Sequence, residues 1–253
     1  MIERSETPQK HDRLAAFLKA YGLRADNRLD GEGANLLIVD SENTGAPTHL
    51  VYRPRKGIIF AKGNVLATAG IDFGENLNPL VGSLPEELHF NLALHPQLRG
   101  LAELIVSEST DRRCGGGTIH ARLCEVIVVL AIRQALAAGT VNAGLLAGLA
   151  HRELHSSLVA MHEDPGRHWH IGDLAGITGM KRSRFIDTFT RVVGQPPAGY
   201  LTDWRLALGR SQLRSGRSVK AVAAAVGFGS AAAFSRSFTR KHGYPPSQEA
   251  TAA

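Results

Sequence analysis

At 253 residues, 43% apolar and 21% charged, the chain is long enough for two ordinary domains and lacks the bias of disordered or fibrous sequences. Its polar opening, MIERSETPQKHDR, has no secretory apolar core, no apolar run reaches the ~18 residues that cross a bilayer, and two cysteines, Cys114 and Cys124, suit a reducing compartment, so a cytoplasmic protein without membrane segments is expected. The net charge of +6 is unevenly held: residues 166–253 carry 13 Lys and Arg against 4 Asp and Glu, which points to a polyanionic partner for that part alone.

In chain order, Leu14 to Tyr21 has a helical texture and stops at Gly22. From residue 33 to about 92 the runs ANLLIVD, HLVYRP, KGIIFAKG, NVLATAG and LHFNLAL are short and rich in Val, Ile, Leu and Phe. Gly, Pro, Asn and Asp separate them, as in a small all-β barrel or sandwich. The period then changes. TIHARLCEVIVVLAIRQALAAG places Ile119, Leu123, Ile127, Leu130 and Leu136 near helical spacing, and LLAGLAHRELHSSLVAMHEDPG is a second helical run ending at Pro165-Gly166. Such a pair packs as an antiparallel hairpin or as a dimer seam. The expected organisation is α+β: a ligand-sensing β domain at 1–108, a helical linker or dimerisation segment at 109–165, and an all-α domain at 166–253.

The last part contains an internal repeat. Leu174, Ala175 and Gly179 recur 48 residues later as Val222, Ala223 and Gly227. Phe185, Phe189, Gly194, Pro196 and Pro197 recur 49 residues later as Phe234, Phe238, Gly243, Pro245 and Pro246. Each copy is a short helix, a glycine turn, and a second helix with paired aromatics at i, i+4 facing inward. The outer face of that second helix carries Lys181, Arg182, Arg184 and Arg191 in the first copy, and Ser235, Arg236, Arg240 and Lys241 in the second. This is the grammar of two helix-turn-helix units, each offering its second helix to a major groove of double-stranded DNA. Between them, PAGYLTDWRLALGRSQLRSG predicts a connecting helix.

At these residues the sequence resembles the AraC/XylS family of transcription regulators. LAGITGMKRSRFIDTFTRVVGQPPAGYLTDWRL and VAAAVGFGSAAAFSRSFTRKHGYPPS look like the family signature, over residues 169–248, and LAHRELHSSLVAMHEDPGRHWHIGDLA is similar to the subgroup with a cupin-like N-terminal domain. The resemblance implies base contacts from Ser183, Ile186 and Asp187 in the first unit and from Ala231, Ala232 and Arg236 in the second. The helical segment 117–160 between the domains predicts a homodimer, and an activator would also contact RNA polymerase. The family usually has a basic residue where Asp187 stands; a carboxylate repels phosphate but accepts from cytosine N4. Arg236 is therefore the strongest expected reader, with Arg182, Arg184 and Arg240 beside the readers.

A regulator of this build needs an input, a small-molecule effector. His49, His89 and His95 lack the His-x-His spacing of a metal cupin, and His151 and His155 at i, i+4 suit a solvated helix face, so no metal or other cofactor is expected. Arg24 and Arg28 in RADNR resemble the RxxxR element with which PilZ domains hold cyclic di-GMP, and DSENTG is a poor echo of the second PilZ element. With Arg53, Arg55 and Lys56 these arginines would make an anionic-ligand site, since guanidinium both clamps phosphate and stacks on guanine. Cyclic di-GMP is thus the favoured ligand, against a sugar-like molecule or oxidation of Cys114 or Cys124. An enzyme with a DNA-binding appendage, such as a repair protein with a cysteine nucleophile, is the competing class. The chain offers no Pro-Cys-His setting, phosphate loop or metal quartet for it.

Overall fold

The computed structural model describes residues 12–26, 33–55, 62–74, 77–111, 113–139 and 143–250. These divide into two compact units: Tyr21–Leu146, and a second made of the residues up to Ala20 together with those from Ala147 onward.

The Tyr21–Leu146 unit is built on five antiparallel strands, β1 (Arg24–Asp26), β2 (Leu36–Asp40), β3 (His49–Tyr52), β4 (Asn64–Asp72) and β5 (Leu88–Asn91), in the order β1-β4-β2-β3-β5. Every residue of β2 is buried, so both faces of the central strand are covered. Leu37, Val39 and Val51 form an apolar cluster on one of them. The β2–β4 register shifts between Ile38 and Val39, and Asn35 extends the pairing by accepting from Ile71 N at 2.6 Å and donating to Ile71 O at 3.0 Å. The β2–β3 turn is closed by Asp40, whose carboxylate accepts from Gly45 N at 2.7 Å and Glu42 N at 3.1 Å. DSENTG is thus a hairpin turn in which Asp40 is already occupied by its own loop.

Four of the five expected strand runs contain a strand; KGIIFAKG lies largely outside the described residues. Beyond β5 the chain makes α3 (Pro96–Thr110), which the sequence reading missed, and then α4 (Gly116–Ala138), with the short α2 (Pro79–Ser83) ahead of β5. The helical pair of this unit is α3 with α4, not α4 with the run after it. The face of α4 is also rotated from expectation. His120, Cys124, Ile127, Val128, Ala131, Ile132 and Leu136 are buried, whereas Ile119 is 46% exposed and Leu123 and Leu130 are half-buried. The helix is apolar on more than one face, and its smaller side chains allow the closer approach to a neighbouring element.

The second unit contains α1 (Ala15–Tyr21, up to Ala20), α5 (Leu145–Ala150, from Ala147), α6 (His155–Glu163), α7 (Ile171–Thr178), α8 (Arg182–Val193), α9 (Pro197–Arg214), α10 (Val219–Ala225), α11 (Ala231–His242) and α12 (Pro246–Ala250). The border expected at Pro165–Arg167 falls inside it. Leu149, Leu154, Leu158 and Met161 are core residues here, and a Cβ on Gly148 would stand 2.9 Å from Val193 of α8. The segment read as 109–165 is therefore shared: α4 goes to the sheet, while α6 packs on α7. Helix α1 joins this unit too. Phe17 is fully buried, edge-on to His162 and Trp204, and Ser211 Oγ donates to Ala20 O at 3.1 Å.

Candidate nucleic-acid interface

The repeat in the sequence is a repeat of hydrogen bonds in the fold. In the first turn Met180 N donates to Ala175 O at 3.1 Å and Gly179 N to Gly176 O at 3.1 Å. In the second, Phe228 N donates to Ala223 O at 2.9 Å and Gly227 N to Ala224 O at 3.2 Å. The glycines have φ of +70° and +81°, where a β-carbon is strained, so the same backbone device ends α7 and α10. Ser230 Oγ then accepts from Ala233 N at 3.1 Å to start α11, and Pro197 and Pro246 open the helices that follow each reading helix.

Phe185 and Phe189 of α8, and Phe234 and Phe238 of α11, are fully buried and hold each helix by one face. That leaves the opposite faces to solvent. Arg182, Ser183, Arg184 and Asp187 are exposed and Ile186 is half-buried on α8. On α11, Ala232, Arg236 and Arg240 are exposed and Ala231 is half-buried. All nine candidate DNA contacts thus lie on the two helices. The 18 residues of α9 separate the units by a rod of about 27 Å, which suits entry into successive major grooves about 34 Å apart.

Several contacts around these helices escaped the sequence reading because their partners are far apart in the chain. Arg184 Nη2 lies 3.4 Å from Glu153 Oε2, and Lys241 Nζ lies 2.8 Å from Asp203 Oδ2. Buried Glu249 ties α12 to α9 through Arg210 at 3.1 Å and Arg214 at 2.6 Å, and accepts from the Tyr244 hydroxyl. Burial opposes the charge of Glu249, but these donors hold its carboxyl below the usual range. His151 and His155 serve the backbone: His151 Nδ1 accepts from Glu153 N at 3.2 Å, and His155 Nδ1 lies 3.1 Å from His151 O. Among the described residues no three His, Cys, Asp or Glu side chains stand together as a metal site.

Of the residues expected to hold an anionic ligand, Arg24 is not gathered with Arg53 and Arg55. Arg24 is exposed on β1, at the sheet edge, and its backbone stands opposite Asp72. Arg53 follows β3, three strand spacings away, or about 14 Å, and its Nε is paired with Glu87 Oε2 at 3.0 Å. Arg55 donates to Leu84 O at 3.2 Å. Arg28 and Lys56 lie outside the described residues. Cys124 is buried and its thiol is pushed up to about 12, first by burial and then by Glu125, the opposite of an activated thiolate. Cys114 is exposed, two residues ahead of α4, and both cysteines are free thiols.

Two reading helices of one pattern behind an antiparallel sheet domain define a helix-turn-helix DNA-binding protein with a separate N-terminal domain. Residues 174–251 match the helix-turn-helix domain family and residues 26–137 the cupin family. An uncharacterized HTH-type transcriptional regulator of Haemophilus influenzae is 32% identical over 67% of this chain and 57% of its own length. A putative AraC-like transcription regulator of Streptomyces lividans is 38% identical over 56% of this chain and 47% of its own. Among solved structures, the DNA-binding domain of AdpA, the global transcriptional factor, in complex with a target DNA, is 27% identical and covers 40% of this chain and 93% of that one, with a TM-score of 0.38. The chain belongs to the AraC-like helix-turn-helix regulators with a cupin N-terminal domain, and spans about half the length of the two curated relatives named. No helix among its described residues is long and apolar enough to cross a membrane.

Proposed function

We propose that the protein is a sequence-specific transcription regulator that reads double-stranded DNA with α8 and α11 and takes its signal as a small molecule in the cupin unit. The observation that carries this is the pairing of two reading helices, each buried by a Phe-Phe face and each preceded by the same glycine turn, with the polar outer faces exposed. The test is selection from a randomised duplex pool by the full chain, followed by gel shift. Binding that prefers the selected duplex and weakens steeply with salt supports the reading, while equal affinity for all sequences sinks it. Arg236→Ala is expected to weaken the selected duplex by about 10- to 100-fold, the usual cost of a bidentate arginine–guanine contact, with random DNA far less affected. Affinity unchanged by that substitution removes Arg236 as a base reader. Asp187, at the equivalent place on α8, makes the first unit a reader of different bases or a supplier of backbone contacts. Activation would add a contact with RNA polymerase, read by transcription from a template bearing the selected site.

The regulator acts as a homodimer through α4. Ile119, Leu123, Val126 and Leu130 follow a four-three-four spacing along its outer side, and Ile119 and Val126 are 46% and 48% exposed. That spacing is the seam of a coiled coil, which a second copy of α4 would cover. Val126→Glu is expected to convert a dimer to a monomer by light scattering while leaving the helix content unchanged. A wild-type chain of monomer mass at tens of micromolar argues against the seam.

Of the effector classes raised by the sequence, cyclic di-GMP has the least support, because Arg53 and Arg55 are engaged within the fold and Arg24 stands across the sheet from them. Calorimetric titration of the full chain with cyclic di-GMP decides it: heat that disappears in Arg24→Ala restores that effector, and no heat removes it.

A further inference from the structure

The connector between α6 and α7, Asp164 to His170, is held in an unusual way for a surface loop. Arg205, in the middle of α9, donates from Nε to Pro165 O at 2.7 Å and from Nη2 to Arg167 O at 2.9 Å. Trp169 Nε1 donates back to Asp164 O at 2.8 Å, and the Arg167 guanidinium lies 4.2 Å over the Trp169 ring. The other side of the loop meets the turn of the second helix-turn-helix unit. A Cβ on Gly227 would stand 2.8 Å from Gly166 O and 2.9 Å from Pro165 O, and one on Gly166 would stand 3.4 Å from Ala225 O. The loop thus leads directly into α7 of the first unit, rests on the turn of the second, and is bolted to the rod between them.

We propose that Arg205 is a positioning residue for DNA recognition, cross-bracing the two helix-turn-helix units through the 164–170 connector so that α8 and α11 keep one fixed spacing. This rests on the reading of both helices as DNA readers. The two units hold α9 at different places, the first at Tyr200 against Phe189 and the second at Gly209 against Phe234. A helix held at separate points still leaves each unit a hinge, at Gly194–Pro196 on one side and at Ser215–Gly216 on the other. The connector closes the third side of that frame. The guanidinium suits the task because its fork bonds two carbonyls at once; a lysine ammonium on a flexible stem has no such planar fork. Neither acceptor is a carboxylate, so the tie sets geometry and is not an ion pair.

The consequence is intolerance of altered spacing. Two base pairs inserted between the blocks contacted by α8 and α11 turn the second block by about 70° and shift it by about 7 Å. Using the duplex selected by the full chain, the wild type is expected to lose about tenfold or more on that insertion, whereas Arg205→Met loses about threefold or less. Arg205→Met keeps its affinity for a duplex carrying one block, a readout that general loss of structure would not spare. Arg205→Lys keeps charge and stem, and behaves like Arg205→Met if the fork is what matters; it replaces the Met variant should that one fail to fold by circular dichroism. A wild type that enriches no duplex overturns the DNA-binding reading itself. Enrichment with the same spacing penalty in wild type and the Arg205 variant, or an equal loss on one-block and two-block duplexes, overturns the brace alone.

Discussion

Phe234→Ala is expected to destabilise the DNA-binding unit by about 3–5 kcal/mol, a large share of the ~5–15 kcal/mol that holds an ordinary domain together. The ring is fully buried, lies 5.3 Å from that of Phe228 and 5.6 Å from that of Phe238, and fills a notch in α9 that exists because residue 209 is glycine. A methyl group on Gly209 would come within 2.7 Å of the ring, so Gly209→Ala attacks the same joint from the opposite side, at about 1–3 kcal/mol for overpacking. Both tryptophans of the chain, Trp169 and Trp204, belong to this unit. Urea unfolding followed by tryptophan fluorescence therefore measures the joint without interference from the cupin unit. A midpoint for Phe234→Ala corresponding to less than about 1 kcal/mol would mean that the aromatic pair is not what seats the reading helix.

The same unit is expected to lose stability in mild acid, well before its carboxylates are protonated. His162 is buried among Phe17, Tyr200 and Trp204, with Nε2 2.6 Å from the Tyr200 hydroxyl and Nδ1 without a hydrogen-bond partner among the described residues. Burial pulls its pKa from 6.5 down to about 3. The unfolded chain takes up the proton once the pH falls below 6.5, while the fold refuses it until about 3. Stability is therefore complete above the first value and declines through the interval at up to about 1.4 kcal/mol per pH unit, or roughly 5 kcal/mol in all. Unfolding at pH 7 and at pH 4.5 should differ by about 2–3 kcal/mol. His162→Gln, which keeps a polar group near Tyr200 but cannot titrate, should remove most of that difference while lowering stability at pH 7. An equal pH slope in both proteins would place the acid sensitivity elsewhere. Within the same interval, once the pH falls below about 4.5, Glu249 adds its own loss, because the unfolded carboxyl then takes up a proton that the folded one, held below its usual range by Arg210, Arg214 and Tyr244, resists.

The exposed faces of α8 and α11 were legible because they depend on local pattern: aromatic pairs at i, i+4, glycines where φ is positive, prolines where a helix begins. Four of the strand runs were legible for the same reason. What the sequence concealed was the choice among several apolar faces. In α4, Ile119 and Leu123 are as hydrophobic as Ile127, and the small residues Cys124 and Ala131 decide which side lies closest to its neighbours. Helix α3 was hidden by Gly100 and a run of polar residues near its end. The separation of Arg24 from Arg53 and Arg55 was not legible either: sheet order β1-β4-β2-β3-β5 puts two strands between them, while Arg28 of the RxxxR element lies outside the described residues. Arg205 gave no signal at all, since its acceptors are main-chain oxygens about forty residues upstream, which any residue can supply.

The docking of Phe17 beside Trp204 has a topological corollary. Residues 12–20 belong to the DNA-binding unit, the chain leaves it at Ala20 to build the cupin, and it re-enters at Ala147, so the DNA-binding unit is discontinuous. The two units are therefore joined by two covalent leads, one through α1 and one through α5. A protease cut at one lead leaves the other intact. A DNA-binding fragment beginning at residue 147 would lack the phenyl ring that fills the space between His162 and Trp204, and it would regain that ring only from a separate peptide spanning residues 12–21.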